Sequence, residues 1–162
     1  SLHDALPISI SEINYEQRHN SVVSKEAESL FTAEDAHILL VDDNSLNLLV
    51  AQELLKPLQL QIDTAENGKD AVAMVQERHY DLVLMDHMMP VMDGYQAARA
   101  IRGSGKKDAE MIPIIAITAN AFAEDKRKTM EAGMDAHLSK PLNVPELMET
   151  IRKFCVGKQM CQ

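Results

Sequence analysis

The sequence predicts a doubly wound α/β domain, a parallel five-stranded sheet with helices on both faces. Three observations carry that prediction. From His37 onward, five short strand-like runs alternate with five helical stretches. The first, third and fourth runs are apolar almost throughout, as interior strands covered on both faces must be. The second and fifth mix polar with apolar residues, as edge strands do.

The first run is Ile38–Val41, and a stripe of Leu46, Leu49, Val50 and Leu54 follows it at helical spacing. The second run, Leu60–Ala65, alternates Leu60 and Ile62 with Gln61 and Asp63. Ala71, Val72 and Val75 mark the next helix, and the apolar third run is Leu82–Met85. Ala97, Ala98 and Ile101 predict a third helix before the fourth run, Ile112–Ile117. A charged helix from about Glu124 should end near Gly133, a residue suited to a left-handed cap. The fifth run, Ala136–Ser139, sets Ala136 and Leu138 against His137 and Ser139. The last helix carries Leu147, Ile151 and Phe154 on one face, with Asn143 and Glu146 spaced as a capping pair. Right-handed crossovers with runs two and five at the edges give the order 2-1-3-4-5, a flavodoxin-like (βα)5 three-layer sandwich.

The 162 residues suffice for one domain with a sizeable core and some tail. Residues 36–156 are expected to form that domain, with a tail over 157–162. Residues 10–35 read as a mostly irregular linker with a short helix around Lys25–Leu30. The opening nine residues, from Ser1 to Ser9, have no apolar period and resemble a translated sequencing-adapter peptide, so they are expected to be non-native. A net charge of −9 argues against direct nucleic-acid binding, which needs clustered Lys and Arg. No stretch is apolar enough for a membrane span, and no basic segment precedes an apolar one as a secretory signal requires. Cys155 and Cys161 lack metal-site spacing and read as reduced thiols of a cytoplasmic protein.

The polar residues at the ends of the runs carry the chemistry. Asp42 and Asp43 follow the first strand, Asp86 ends the third, Thr118 the fourth and Lys140 the fifth. Parallel strands bring their C-terminal ends to one edge of the sheet, so five groups from four segments converge. Three carboxylates at close range repel one another unless a cation offsets them. An oxygen-only donor set suits Mg²⁺, which takes one or two carboxylates and keeps several waters. With that charge offset, an anionic Asp86 can accept a phosphoryl group as an acyl phosphate, while Lys140 and Thr118 meet the equatorial oxygens.

Four segments resemble the signature stations of response regulator receiver domains: Val41-Asp-Asp-Asn44, the run from Met85 to Gly94, Ile117-Thr-Ala119 and Leu138-Ser-Lys-Pro141. The resemblance covers roughly Ala36 to Val156, with all stations in order. Asn44 with Asn47, and the Met-Asp-His-Met-Met-Pro run, resemble receivers attached to hybrid sensor kinases. The resemblance implies that Asp86 is the phosphoacceptor. It implies that Asp43, Asp86 and the Met88 backbone carbonyl bind Mg²⁺ directly, with Asp42 acting mainly through water. Thr118 and Lys140 would hold the phosphoryl group, and the Lys140–Pro141 bond would be cis. The implied partner is a histidine kinase or a histidine phosphotransfer domain. The state would be read at the face of the fourth helix, fifth strand and fifth helix, through which a weak homodimer is a further expectation. One departure is His137, which stands where the family often has an aromatic switch residue.

Other residues have plainer readings. His87 is expected to line the rim of the site, and His137 to move between exposed and tucked positions rather than to sense pH. Met88, Met89 and Met92 are better explained as an adaptable apolar loop than as soft-metal ligands. Lys126-Arg-Lys128 reads as a solvated helix face. A phosphatase of the haloacid-dehalogenase type is the enzymatic alternative, but it needs Asp-x-Asp after the first strand and a cap domain. A flavin module is disfavoured because the acids would repel a flavin phosphate. The expected function is therefore a non-enzymatic phosphoacceptor, either a C-terminal fragment of a hybrid histidine kinase, tethered to a membrane through its missing upstream part, or a stand-alone receiver.

Overall fold

In the computed structural model, which describes residues 33–119 and 123–156, five strands pair in parallel in the order β2-β1-β3-β4-β5. They are β1 (His37–Val41), β2 (Gln61–Ala65), β3 (Leu82–Asp86), β4 (Ile114–Thr118) and β5 (Ala136–Ser139). The helices between and after them are α1 (Ser45–Leu55), α2 (Gly68–Glu77), α3 (Gly94–Arg102), α4 (Ala123–Glu131) and α5 (Val144–Ile151). A 3₁₀ turn, Lys56–Leu58, extends α1, and a single helical turn, Lys107–Met111, precedes β4. The adapter-like opening, the short helix around Lys25–Leu30, Cys161 and the tail 157–162 lie outside the described residues.

Burial follows the apolar pattern of the strands. Every residue of β3 and β4 is buried, and so are the last four of β1, whereas β2 and β5 are only partly covered. Leu39, Val41, Val83, Met85, Ile114 and Ala116 join Ala71 and Val75 of α2 and Ala97, Ala98 and Ile101 of α3 in one core. The alternate residues Leu40, Leu84 and Ile117 face α1 from the other side of the sheet. Fully burying one such Leu or Ile contributes about 1.5–3 kcal/mol. The fourth strand starts at Ile114 rather than Ile112, because Pro113 cannot donate to the ladder and the Ile112 N–H closes the preceding turn on the Asp108 carbonyl.

The helix ends have local causes. Asn44 caps α1, accepting from the backbone N–H groups of Leu46 and Asn47 at 2.9 and 3.4 Å. Asp93 and Gln96 form a reciprocal capping box on α3. Asn143 accepts from the Glu146 N–H at the start of α5. Helix α4 ends as its Gly133 suggests. That residue has φ 85°, its N–H meets the Met130 carbonyl, and the Met134 N–H reaches back to Thr129.

The stripe of Leu46, Leu49, Val50 and Leu54 lies on α1 as its spacing predicts, but Leu46, Leu49 and Val50 do not face the core; they are 63%, 55% and 49% exposed. Leu48, Ala51 and Leu55 are the buried residues of α1. The helix is apolar almost all round, so its spacing alone could not say which side meets the sheet.

A polar knot secures edge strand β2. Asp63 Oδ2 accepts from the Tyr80 hydroxyl at 2.7 Å and from the Arg78 guanidinium at 3.0 Å, and lies 3.0 Å from His37 Nε2. Burial raises the Asp63 carboxyl's pKa, but the bonds from Tyr80 and Arg78 and the nearby positive charges outweigh it, leaving it below the usual carboxylate value. The Tyr80 hydroxyl is pushed up to about 12, first by burial and then by its bond to that carboxylate. Among the described residues, no helix is long and apolar enough to cross a membrane.

Candidate functional site

The parallel register carries five polar residues to one edge of the sheet. Asp42 follows β1 directly, and its N–H donates to the Ala65 carbonyl at 3.1 Å, continuing the β1–β2 ladder. Asp86 is the last residue of β3, opposite Ile117, and the His87 N–H bonds the Ile117 carbonyl at 3.1 Å. Thr118 ends β4 opposite Ser139, and its carbonyl accepts from the Lys140 N–H at 2.8 Å. The Lys140–Pro141 peptide is cis, as the resemblance implies.

The side chains meet at that edge. One carboxylate oxygen each from Asp42, Asp43 and Asp86 lies within 4.8 Å of the others. Lys140 Nζ is 3.1 Å from Asp86 Oδ2 and 3.8 Å from Asp42 Oδ2. Asp42, Asp86 and Thr118 are buried, while Asp43 is exposed and Lys140 is partly so. Burial pushes the Asp42 carboxyl's pKa above its ordinary value, and the Asp86 charge adds to that effect. Bonds from Asn44 and Asn47 and the Lys140 charge offset only part of it. A partly buried acid cluster with only oxygen donors and, among the described residues, one cation beside it fits a hard divalent ion.

Asn44 and Asn47 explain how the first acid is held. The Asn44 N–H donates to Asp42 Oδ1 at 2.9 Å and the Asn47 side-chain amide to Asp42 Oδ2 at 3.2 Å. Asn44 thus starts α1 and steadies Asp42 at once. In the sequence these two asparagines stand out only as part of a family pattern; the i, i+5 reach of Asn47 to Asp42 becomes visible once the helix is in place.

The loop after Asp86 is folded tightly on itself. The Met88 N–H donates to Asp86 Oδ1 at 3.3 Å, and the Gly94 N–H closes the loop on the His87 carbonyl at 3.0 Å. A Cβ on Gly94 would lie 2.5 Å from the Asp86 carbonyl oxygen and 2.8 Å from His87 Cα, so only glycine fits there. Val91 has φ 71° and is 92% exposed, an uncommon backbone state for a β-branched residue. His87 is half-buried, its ring 5.5 Å from that of Tyr95 and tilted to it. The Met88 side chain is exposed and Met89 is buried. His137 is partly buried within β5.

Residues 38–152 match the response regulator receiver domain family. The sensor protein GacS of Pseudomonas syringae pv. syringae is 42% identical over 118 residues, 72% of this chain and 13% of that protein. The aerobic respiration control sensor protein ArcB of Escherichia coli K12 is 38% identical over 84% of this chain and 18% of its own length. The chain thus spans less than a fifth of either relative. Among solved structures, the receiver domain of sensor histidine kinase PA1611 from Pseudomonas aeruginosa PAO1, with a magnesium ion in its active-site cleft, aligns with TM-score 0.68 and 36% identity. It covers 75% of this chain and 98% of that one. A chain from the complex of Saccharomyces cerevisiae Ypd1, a histidine phosphotransfer protein, with the receiver domain of Ssk1 aligns with TM-score 0.70 and 30% identity over 76% of this chain and 90% of that one.

Proposed function

Because the chain belongs to the response regulator receiver domain family, whose members are phosphoacceptors of two-component signalling, we propose that Asp86 is the residue that takes the phosphoryl group from a partner's phosphohistidine. The observation that carries this reading is the Lys140 ammonium 3.1 Å from a buried Asp86 carboxylate, beside two further acids. An Asp86 oxygen attacks phosphorus in line. A P–O bond forms as the P–N bond breaks, and the donor imidazole keeps the electron pair. Lys140 neutralises charge on the phosphoryl oxygens, and the Thr118 hydroxyl donates to one of them.

Asp43, Asp86 and the Met88 carbonyl would hold Mg²⁺ directly, with Asp42 acting through water. A cation bound there supplies the positive charge that lets an anionic phosphoryl group approach carboxylates. Water later attacks the acyl phosphate and returns the domain to its resting state. The receiver belongs to a longer hybrid histidine kinase facing the cytoplasm, a reading supported by relatives several times its length.

The deciding experiment is labelling with acetyl phosphate and Mg²⁺. Wild-type protein gains one phosphoryl group and Asp86→Asn gains none; undiminished labelling of Asp86→Asn overturns the assignment.

A further inference from the structure

The loop between β3 and α3 sits in a form that its own residues oppose. Among the described residues, His87 Nδ1 and the Tyr95 hydroxyl are buried side-chain polar atoms with no hydrogen-bond partner. Whichever ring nitrogen carries the proton, Nδ1 is a donor or an acceptor left unused, and so is the phenolic oxygen. Each was taken out of water with nothing in exchange, which costs free energy. The two rings lie 5.5 Å apart, so both costs fall at one place.

The backbone between them adds another. The Met92 N–H donates to the Pro90 carbonyl at 2.8 Å around Val91, whose φ is 71°. A turn closed from residue i to i+2 about a positive φ is rare and strained, the more so at a β-branched residue. Val91 is 92% exposed, so packing of its side chain does not hold the turn in place. A hollow of about 450 Å³, lined by His87, Met88, Met89, Pro90, Asp93 and Tyr95, leaves the loop room to rearrange.

Both ends of the loop, by contrast, are pinned. The His87 N–H bonds the Ile117 carbonyl, and the Gly94 N–H bonds the His87 carbonyl. Movement is therefore confined to Met88–Met92 and to the side chains of His87 and Tyr95. That stretch carries the Met88 carbonyl, and its tie to Asp86 Oδ1 through the Met88 N–H is a long 3.3 Å. Strain beside a functional group is part of a mechanism when a second form relieves it. We propose that His87, Val91 and Tyr95 are positioning residues for the metal site. They hold Met88–Met92 in a strained resting form, which gives way, when the site fills with a divalent cation, to one in which both polar atoms are paired. The inference rests on Asp86 and the Met88 carbonyl being ligands of that ion. It carries a linkage: whatever relaxes the resting form must weaken metal binding by the same factor, because affinity is set by the difference between the two forms.

The test pairs calorimetric titration with Mg²⁺ against Tm measured in EDTA. Tyr95→Phe keeps the ring and removes the hydroxyl, so its Tm in EDTA should rise by roughly 3 °C. Its Kd for Mg²⁺ should weaken by roughly fivefold, the same free energy read at the site. Val91→Gly accepts a positive φ without strain, leaves every packed side chain in place, and should weaken Mg²⁺ binding in the same direction. A hydroxyl that bonds through water, or supports the fold in any other way, would lower the Tm of Tyr95→Phe, and that result overturns the proposal. So does a wild-type Kd in either variant. A wild-type chain that takes up no Mg²⁺ would instead overturn the metal assignment, and the proposal with it.

Discussion

Lys140 Nζ lies 3.1 Å from Asp86 Oδ2 and 3.8 Å from Asp42 Oδ2, so a single ammonium bridges the acids that end β3 and follow β1. That ammonium rides on the residue after β5, whose N–H is tied to the Thr118 carbonyl. Charge neutralisation at Asp86 and the β4–β5 edge are thereby one mechanical unit. Replacing Lys140 with Met keeps the stem and removes the charge. Labelling of Asp86 by acetyl phosphate should slow by about 10²-fold, the usual effect of losing one preorganised group opposite developing charge. A wild-type rate in Lys140→Met, measured as phosphoprotein formed per minute, would show that the ammonium does not act on the transferring group.

Metal dependence follows from the acid cluster. Three carboxylates with one partial counter-charge gain from a divalent cation, and a ligand at about a hundred times its Kd stabilises the folded state by about 2.7 kcal/mol. Adding Mg²⁺ should therefore raise Tm, and chelation by EDTA should reverse the rise and stop labelling. Asp43 is exposed, so Asp43→Ala leaves the core alone while removing one of the proposed ligands. The variant should unfold like the metal-free wild type and lose most of the Mg²⁺ shift. An undiminished shift would place the ion elsewhere.

The strand order was legible in the chain because burial on two faces and burial on one face leave different patterns. Leu82–Met85 has no polar residue, whereas Gln61 and Asp63 alternate with Ile62. The gathering of Asp42, Asp43, Asp86, Thr118 and Lys140 was legible for a topological reason, since parallel strands share their C-terminal edge. The orientation of α1 was not, because apolar residues on nearly every side leave the period ambiguous. Nor were the Asn47–Asp42 and Tyr80–Asp63 bonds. Each depends on where a side chain points after two elements are docked, and spacing holds no such information.

The Tyr80–Asp63 bond predicts a pH dependence in both directions. Tyr80 is 1% exposed, and Tyr80→Phe keeps its packing while removing a bond to a charged acceptor. The loss should be about 1.5–3 kcal/mol at pH 7 by denaturant unfolding. Asp63 has a lowered folded pKa, so its contribution is present above its unfolded value near 3.8 and is lost as pH falls through the folded value. Tyr80 has a raised folded pKa of about 12, so its contribution is complete below its unfolded value of 10.0 and is lost as pH rises through 12. The gap between wild type and Tyr80→Phe should accordingly narrow below pH 3.8 and again between pH 10 and 12. A gap constant from pH 3 to pH 12 would exclude the hydrogen bond as its source.

Gly94 links stability to phosphorylation through contact rather than charge. Its missing Cβ is the space occupied by the Asp86 carbonyl oxygen and His87 Cα, 2.5 and 2.8 Å from where a methyl would begin. Both obstacles are backbone, and the first belongs to the last residue of a fully buried strand, so neither yields as a side chain would. Gly94→Ala must therefore move the start of α3 away from β3, breaking the Gly94–His87 bond and loosening the loop whose Met88 N–H steadies Asp86 Oδ1. The expected cost is about 1–3 kcal/mol of stability. Labelling at a temperature where the variant is still folded should also slow, because the carboxylate loses its fixed aim. Alanine at Gly103, which meets only the Arg99 carbonyl at 3.3 Å, is the control and should do neither. If Gly94→Ala lowers Tm yet labels at the wild-type rate, the loop closure supports the fold without aiming Asp86.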